Sequence, residues 1–532
     1  MSKVKTLCAA GLLIFSLHLF SVTVFCTTSF AGETPAAVVS YNRSASTADS
    51  ETGHAVSADP VVAGQPFKFS LGGYLREHIS VNLQNPLETK ENDRWNLSMA
   101  RTTLQLESDA SKGDIRVHAV GRVVGEIRTD YLKRLENLGA ANGQLMDEYN
   151  VSELRELFFE LNPLPRTTLR LGKQQIVWGE TDFFHAMDLV HGYDFTWRSF
   201  LEAENEDYRK SLVLANAMIQ VPEFKGTLQI FLRPALDRDK DIGNTYDVFG
   251  GRWANQPNKG VNFLNLIPYN FKHPDGDTRD LTWGGRWFGV VGPVNYSLAY
   301  LRTFGPDPVV NSAFAPFSTT STTGPLGELI FPKVDVYGLT LNSYSALADA
   351  VFSAEFAYTK DQFFNVGSTF FGGALPGFGG IIKKDTVRLM VRMDKDLHLS
   401  PILGTNKDSF FSVQFFDTWV LGFNEKDDIV DLAGYGGAKK KHSTLGTVIL
   451  GLNYMQNRIN PQLAAGYDLT YGGSFVIPSV SFAFGDKWRL NAEADLFFPK
   501  HSKDPGQIEN STHIIGYFAN NNQLSIRLTR QF

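Results

Sequence analysis

The sequence predicts an all-β fold, a transmembrane antiparallel β-barrel of about 16 to 18 strands, with 18 preferred. Three observations carry the prediction. The chain ends in a strand with one apolar face. Stretches of about ten residues alternate in polarity from residue 67 onward. Beyond the first 31 residues, no run of about 18 apolar residues could form a membrane helix.

At the amino end, Lys3 and Lys5 precede the apolar run Leu7 to Phe25 and the small-x-small site Ser29-Phe30-Ala31. This pattern predicts a Sec-type signal peptide over 1–31 and a mature chain that starts near Gly32. Both cysteines, Cys8 and Cys26, fall inside it, so the rest of the chain needs no disulfide and offers no thiolate metal site. Removing 1–31 takes away Lys3 and Lys5 and no acid, which moves the formal charge from −6 to −8. Without a basic excess, nucleic acid is not an expected partner. The mean hydropathy of −0.15 suits a barrel in which lumen-facing positions offset lipid-facing ones.

Residues 32–66 are rich in Ala, Ser, Thr and Val without periodicity and are predicted to be a flexible periplasmic lead-in. The barrel itself is assigned to 67–532. Strands are predicted at 67–81, 94–108, 112–127, 151–161, 167–178, 210–221, 225–235, 281–292 and 293–303. They continue at 333–344, 349–360, 384–395, 408–421, 443–455, 460–470, 474–485, 487–498 and 521–532. Parity is plain in three of them. Ile115, Val117, Ala119 and Val123 oppose Arg116, His118 and Arg122; Val387, Leu389 and Val391 oppose Arg388, Arg392 and Asp394; Leu490, Ala492 and Leu496 oppose Arg489, Glu493 and Asp495. Lipid on one side and water on the other explains a charge at every second residue.

Connections alternate between short and long. The short ones, such as Asp109-Ala110-Ser111 and Pro222-Glu223-Phe224, are expected in the periplasm, and the long ones, such as 236–280 and 304–332, outside. An even strand count follows when both barrel ends lie on the periplasmic side. Leu132, Leu135 and Leu138 at helical spacing predict a short helix within 129–149. The aromatics Trp95, Phe231, Tyr300, Tyr337, Tyr358, Trp419, Trp488 and Phe498 are read together as interfacial girdles. In the last strand Leu524, Ile526, Leu528 and Phe532 share a face, with Arg530 where an apolar residue is more usual. That ending resembles the C-terminal signal read by the outer-membrane barrel assembly machinery.

The segment 178–210, WGETDFFHAMDLVHGYDFTWRSFLEAENEDYRK, is long, charged and aromatic. Loops of this length in a compact fold are usually functional. One reading folds it into the lumen as a constriction; the other leaves it as a solvated external loop. Its charged candidates are Glu180, Asp182, Asp188, Arg198, Glu202, Glu204 and Arg209. The strand candidates by parity are Arg116, Arg122, Arg286, Arg388, Arg392, Arg489, Glu355, Asp394 and Glu493. Opposed carboxylates and guanidiniums would set a transverse field favouring polar or charged solutes. The same residues could equally pair with each other and pin the loop.

LRLGKQQIVWGETDFF at 169–184, with Gly172, Lys173, Gln174, Trp178, Gly179, Glu180 and then Asp188, resembles a family of Gram-negative outer-membrane barrels catalogued as a domain of unknown function. The resemblance implies a porin-like protein of the cell outer membrane, some of whose relatives act with periplasmic export partners. A looser similarity runs to alginate-export barrels.

No enzyme is expected: the histidines sit in neither a G-x-S-x-G nor an H-E-x-x-H context. Asp188 and His191, three apart, read as an incidental pair more readily than as metal ligands. Asp275-Gly276-Asp277 has part of a calcium loop and lacks the remaining ligands, so no cofactor is assigned. The function expected is passive passage of small polar or charged solutes. The alternatives are an outer-membrane component of an export or uptake assembly, and a scaffold that houses another protein such as a cytochrome. Outer-membrane lipid and lipopolysaccharide are expected neighbours. A homotrimer would be in keeping with a diffusion porin, although no residue pattern specifies one.

Overall fold

Strand pairing runs unbroken from the first strand to the last and then back to the first. In the computed structural model the described residues are 66–89, 91–138, 145–179, 184–202, 205–254, 259–314, 322–368, 376–431, 437–500 and 514–532. The expected signal peptide, the lead-in up to residue 65, and Glu180, Asp182 and Glu204 lie outside them.

The main sheet holds 20 strands, two of which, Ile429–Asp431 and Gly437–Ala438, are short additions at the rim. The other 18 close an antiparallel barrel. In chain order they are β1 Lys68–Asn82, β2 Leu97–Lys112, β3 Ile115–Glu126, β4 Val151–Leu164, β5 Thr167–Gln174, β6 Leu212–Val221, β7 Gly226–Arg233, β8 Thr282–Val291 and β9 Val294–Phe304. Then come β10 Lys333–Ser345, β11 Ala350–Val366, β12 Ile381–Leu397, β13 Ser409–Val420, β14 His442–Gly451, β15 Ile459–Asp468, β16 Ser474–Phe484, β17 Trp488–Phe498 and β18 Gln523–Gln531. The seam pairs Tyr74 with Gln531 through to Asn82 with Gln523. Every predicted strand has its counterpart.

Alternation explains why these segments pair. Leu389, Val391, Phe415, Val448, Leu524 and Ile526 are exposed on the outer face, while Arg392, Gln414, Thr447 and Ser525 between them are buried within. An apolar outside over a polar inside is the inverse of a soluble sandwich and fits lipid around the wall. A closed sheet also leaves no unpaired edge in hydrocarbon. The protein is therefore an integral outer-membrane β-barrel. Leu528 shares the outward face of Leu524 and Ile526. Arg530 also points outward, with its guanidinium over the Trp488 ring at 5.6 Å. Phe532 donates its backbone N–H to Gly73 O at 3.1 Å.

The differences lie where alternation breaks. The turn between β2 and β3 is at Gly113-Asp114, not Asp109-Ala110-Ser111: Gly113 takes φ +60 and Asp109 stays in the ladder opposite His118. β11 runs on to Val366, past a bulge between Thr359 and Gln362. There Asp361 adopts φ +53 and donates its N–H to Asp385 at 2.9 Å, which reverses parity and hides the strand's continuation. β5 stops at Gln174, because Ile176 and Trp178 turn into an apolar core. Phe231 is likewise no girdle residue: it is 2% exposed and packs edge-on against Trp178 at 5.4 Å.

Candidate functional site

Loop 175–211 follows β5, and its side chains meet the inward faces of strands far apart in the sequence. Three apolar clusters hold it. Trp178, Met187, Leu189 and Val190 join Phe231, Leu301 and Val336 from the wall. Tyr193, Trp197 and Tyr208 join Met99 and the helical residues Leu132, Leu135 and Tyr149. Leu201 joins Trp253, Phe475 and Phe497. The helices, Asp130–Glu136 with Thr129 as its cap and Leu145–Tyr149, fall inside the segment 129–149. One glycine makes room for the loop: a Cβ on Gly338 would stand 2.2 Å from the Met187 sulfur.

Ion pairs clamp the same loop to one arc of the wall, from β17 through the seam to β4. Arg198, 1% exposed, donates to Glu202 at 2.9 Å, to Asp495 at 3.4 Å and to Glu493. Glu202 also accepts from Arg527. Burial alone would raise the Glu202 carboxyl, but Arg527, then Arg198 and Arg76, outweigh it and hold it at about 2. Asp207 accepts from Arg76 at 2.7 Å and lies 3.6 Å from Arg122, which donates to Glu153 at 2.9 Å. Arg155 donates to the carbonyls of Glu206 at 2.5 Å and Arg209 at 3.0 Å. Within the loop, Asp188 receives Arg209 and the Tyr193 hydroxyl at 2.6 Å.

His191 ties the two ends of the loop together. Its Nε2 accepts from Ile176 N–H at 2.8 Å, and its Nδ1 lies 2.9 Å from Lys210 O. Only the neutral ring, protonated on Nδ1, can do both. Burial, then Arg209, pushes its pKa down to about 3. Asp188 and His191 are thus committed to separate partners.

The other parity-derived residues divide by depth. Glu355 on β11 accepts from Met187 N–H at 2.9 Å, and Arg286 on β8 donates to Val177 O at 3.3 Å, so both touch the loop. Arg392 pairs with Asp394 at 2.8 Å on β12. Arg116 binds Asp109 at 2.6 Å beside the Gly113 turn, and Arg489 donates to Gly485 O and Trp488 O, both at 2.9 Å. Those two lie at the short-turn rim and away from the loop. Parity reasoning passed over Arg76, Glu153 and Arg155; their lumen-facing positions in β1 and β4 were the available signal.

Opposite the clamp, a cavity of about 410 Å³ separates the loop from the wall of β12–β15. Phe184, His185 and Tyr193 line the loop side, and Arg388, Phe416 and Leu445 the wall. His185 stacks on Tyr193 at 4.1 Å, and burial lowers its pKa to about 4, so the ring is neutral at neutral pH. Arg388 forms no ion pair or hydrogen bond among the described residues.

A closed 18-strand barrel with an apolar outer wall and a charged inner one defines a porin-like protein of the Gram-negative outer membrane. The chain belongs to the family described as Protein of unknown function (DUF1302), whose model matches residues 92–532. Comparison with curated proteins gives no match. Solved structures that resemble it include Salmonella typhi OmpF in complex with daunomycin, at 10% identity and TM-score 0.39, over 88% of this chain and 98% of that one. Pseudomonas aeruginosa OpdK with vanillate is similar at 10% identity and TM-score 0.44, over 87% of this chain and 98% of that one. A mutant of the Rh. blastica porin follows at 10% identity and TM-score 0.34, over 87% and 100%.

Proposed function

We propose that this barrel is a channel for the passive passage of small polar or charged solutes, with loop 175–211 as its constriction. The observation that carries the reading is the ion-pair clamp. The loop is tied to the arc from β17 to β4 by Arg198, Glu202 and Asp207, and to β8 and β11 by Arg286 and Glu355, and between these anchors it faces the cavity on β12–β15. A loop pinned this way narrows a lumen without filling it, and it places Arg388 across from the loop where a solute would pass. The paired acids and guanidiniums hold the loop. Arg388 is the guanidinium that faces the cavity, which Lys439, Asp307, Asp417 and Asp468 also line, while the Asp188 carboxylate is neutralised by Arg209.

Occupation of the lumen by the chain's own loops weighs against a barrel that houses a second protein such as a cytochrome. Planar-bilayer recording tests the proposal. The purified barrel should pass KCl current without any partner, and Arg388→Ala should move its reversal potential toward cation selectivity. A barrel silent on its own that conducts only when a periplasmic protein is added would replace this reading with the export-assembly one.

A further inference from the structure

The wall of the cavity is layered. Strand register places Arg388 beside Thr418, and Thr418 beside Ser443, as one polar row across β12, β13 and β14. The next row inward is Met390, Phe416 and Leu445, which is apolar. From the loop side Phe184 meets Phe416 edge-on at 5.5 Å, and the stacked pair His185 and Tyr193 completes an aromatic face. The Ser443 hydroxyl and His185 Nδ1 are buried without a hydrogen-bond partner among the described residues.

The carboxylates around the cavity each have hydrogen-bond donors from the protein, which fixes them in place and leaves their acceptor sites occupied. Asp188 receives Arg209. Asp307 receives Asn244 at 2.9 Å and Tyr246 at 2.5 Å. Asp417 is bonded to His442 at 2.8 Å and Thr444 at 2.6 Å. Asp468 receives the amides of Thr470 at 3.0 Å and Tyr471 at 2.8 Å. Of the cations, Lys439 lies over the Phe364 ring at 5.9 Å. Among the described residues Arg388 alone presents a guanidinium to the cavity without an ion pair or hydrogen bond, next to two hydroxyls and directly above an apolar row.

We infer that this cavity binds a small organic carboxylate with an apolar body: the carboxylate on Arg388 with Thr418 and Ser443, the body against Phe416, Leu445 and Phe184. A guanidinium fork matches a planar carboxylate in two parallel hydrogen bonds. The apolar row below suits a ring or short alkyl chain and offers nothing to a fully hydrated inorganic anion. The inference rests on the reading of this cavity as the solute passage and names the class of solute that passage retains.

Calorimetric titration of the full chain in detergent tests it, with phenylacetate and its uncharged counterpart phenylacetamide as probes. Phenylacetate should bind at least about tenfold more tightly than phenylacetamide. Arg388→Gln should weaken phenylacetate roughly tenfold and leave phenylacetamide unchanged, while Arg388→Lys keeps part of the preference. Phe416→Ala should weaken both probes, which gives a second variant if Arg388→Gln does not fold. Equal affinity for the two probes, no binding of either, or wild-type phenylacetate binding by Arg388→Gln overturns the site. Current recorded on the same preparation separates the two readings. Binding without KCl current keeps the site and removes passive conduction, whereas current without binding removes the site alone.

Discussion

His191 holds loop 175–211 only while its ring is neutral, because Ile176 N–H points at one nitrogen and Lys210 C=O at the other. The unfolded ring titrates near 6.5, the folded one at about 3. Above about pH 6.5 both states are neutral and the contact contributes fully; as pH falls from there toward 3, only the released loop takes the proton, so stability is lost. His185, held at about 4 by burial, acts in the same direction, with Asp188, Arg209 and Arg388 around it. Glu202 adds a second acid stage, its stability present above about 4.5 and lost toward 2. Hydrogen exchange at the Ile176 amide should therefore lose roughly tenfold protection between about pH 7 and about pH 5. Equal protection at both would show that His191 does not hold the loop. Arg198→Ala tests the clamp itself. It leaves Asp495 buried and Glu493 part-buried without their cation, while Glu202 keeps Arg527, and should cost about 3–5 kcal/mol. Arg489→Ala at the short-turn rim should cost under about 1 kcal/mol in the same melting experiment. The sequence shows that Arg198 and Glu493 are charged, and that Glu493 faces inward. Their pairing spans 295 positions, and no local pattern reveals it.

At the scale of elements, strands were legible because the signal is local: parity at Leu389, Val391 and Arg392 needs no knowledge of neighbours. Boundaries failed at Asp361 and at Gly113, where positive φ breaks the period, and at Gln175, where a strand becomes a loop without losing its apolar residues. Loop 175–211 was marked by its length and charge. Its seat was not, since it depends on a gap left by Gly338 on β10, to which Met187 is the complement. Gly338→Val should drive Met187 out, lower thermal stability by about 1–3 kcal/mol and make the single-channel current noisier. Met187→Ala in the same chain should quieten it again. If the double variant is as noisy as Gly338→Val alone, the two residues do not form the loop's seat.

For the molecule as a whole, the loop proposed as the constriction is also core. Loop 175–211 contributes Trp178 and Met187 to the first apolar cluster, Tyr193 and Trp197 to another, and Leu201 to the last. The wall shares that packing: inward Gly284 leaves room both for Trp178 of the loop and for Phe231 of the neighbouring strand, each 2.9 Å from where its Cβ would stand. On the proposed reading, narrowing the passage and stabilising the barrel are a single arrangement, and the two properties should change together. Deleting 185–205 removes Arg198 and Glu202, the Asp188–Arg209 pair and the aromatic face of the cavity at one stroke. Conductance should rise severalfold as the lumen opens toward the width of an unobstructed barrel of this strand number, and the melting temperature should fall. Conductance in bilayers and the temperature of heat-modified gel mobility, taken on one preparation, check both. A rise in current with no loss of heat resistance would show that the wall stands without the loop. Unchanged current would place the constriction elsewhere in the lumen.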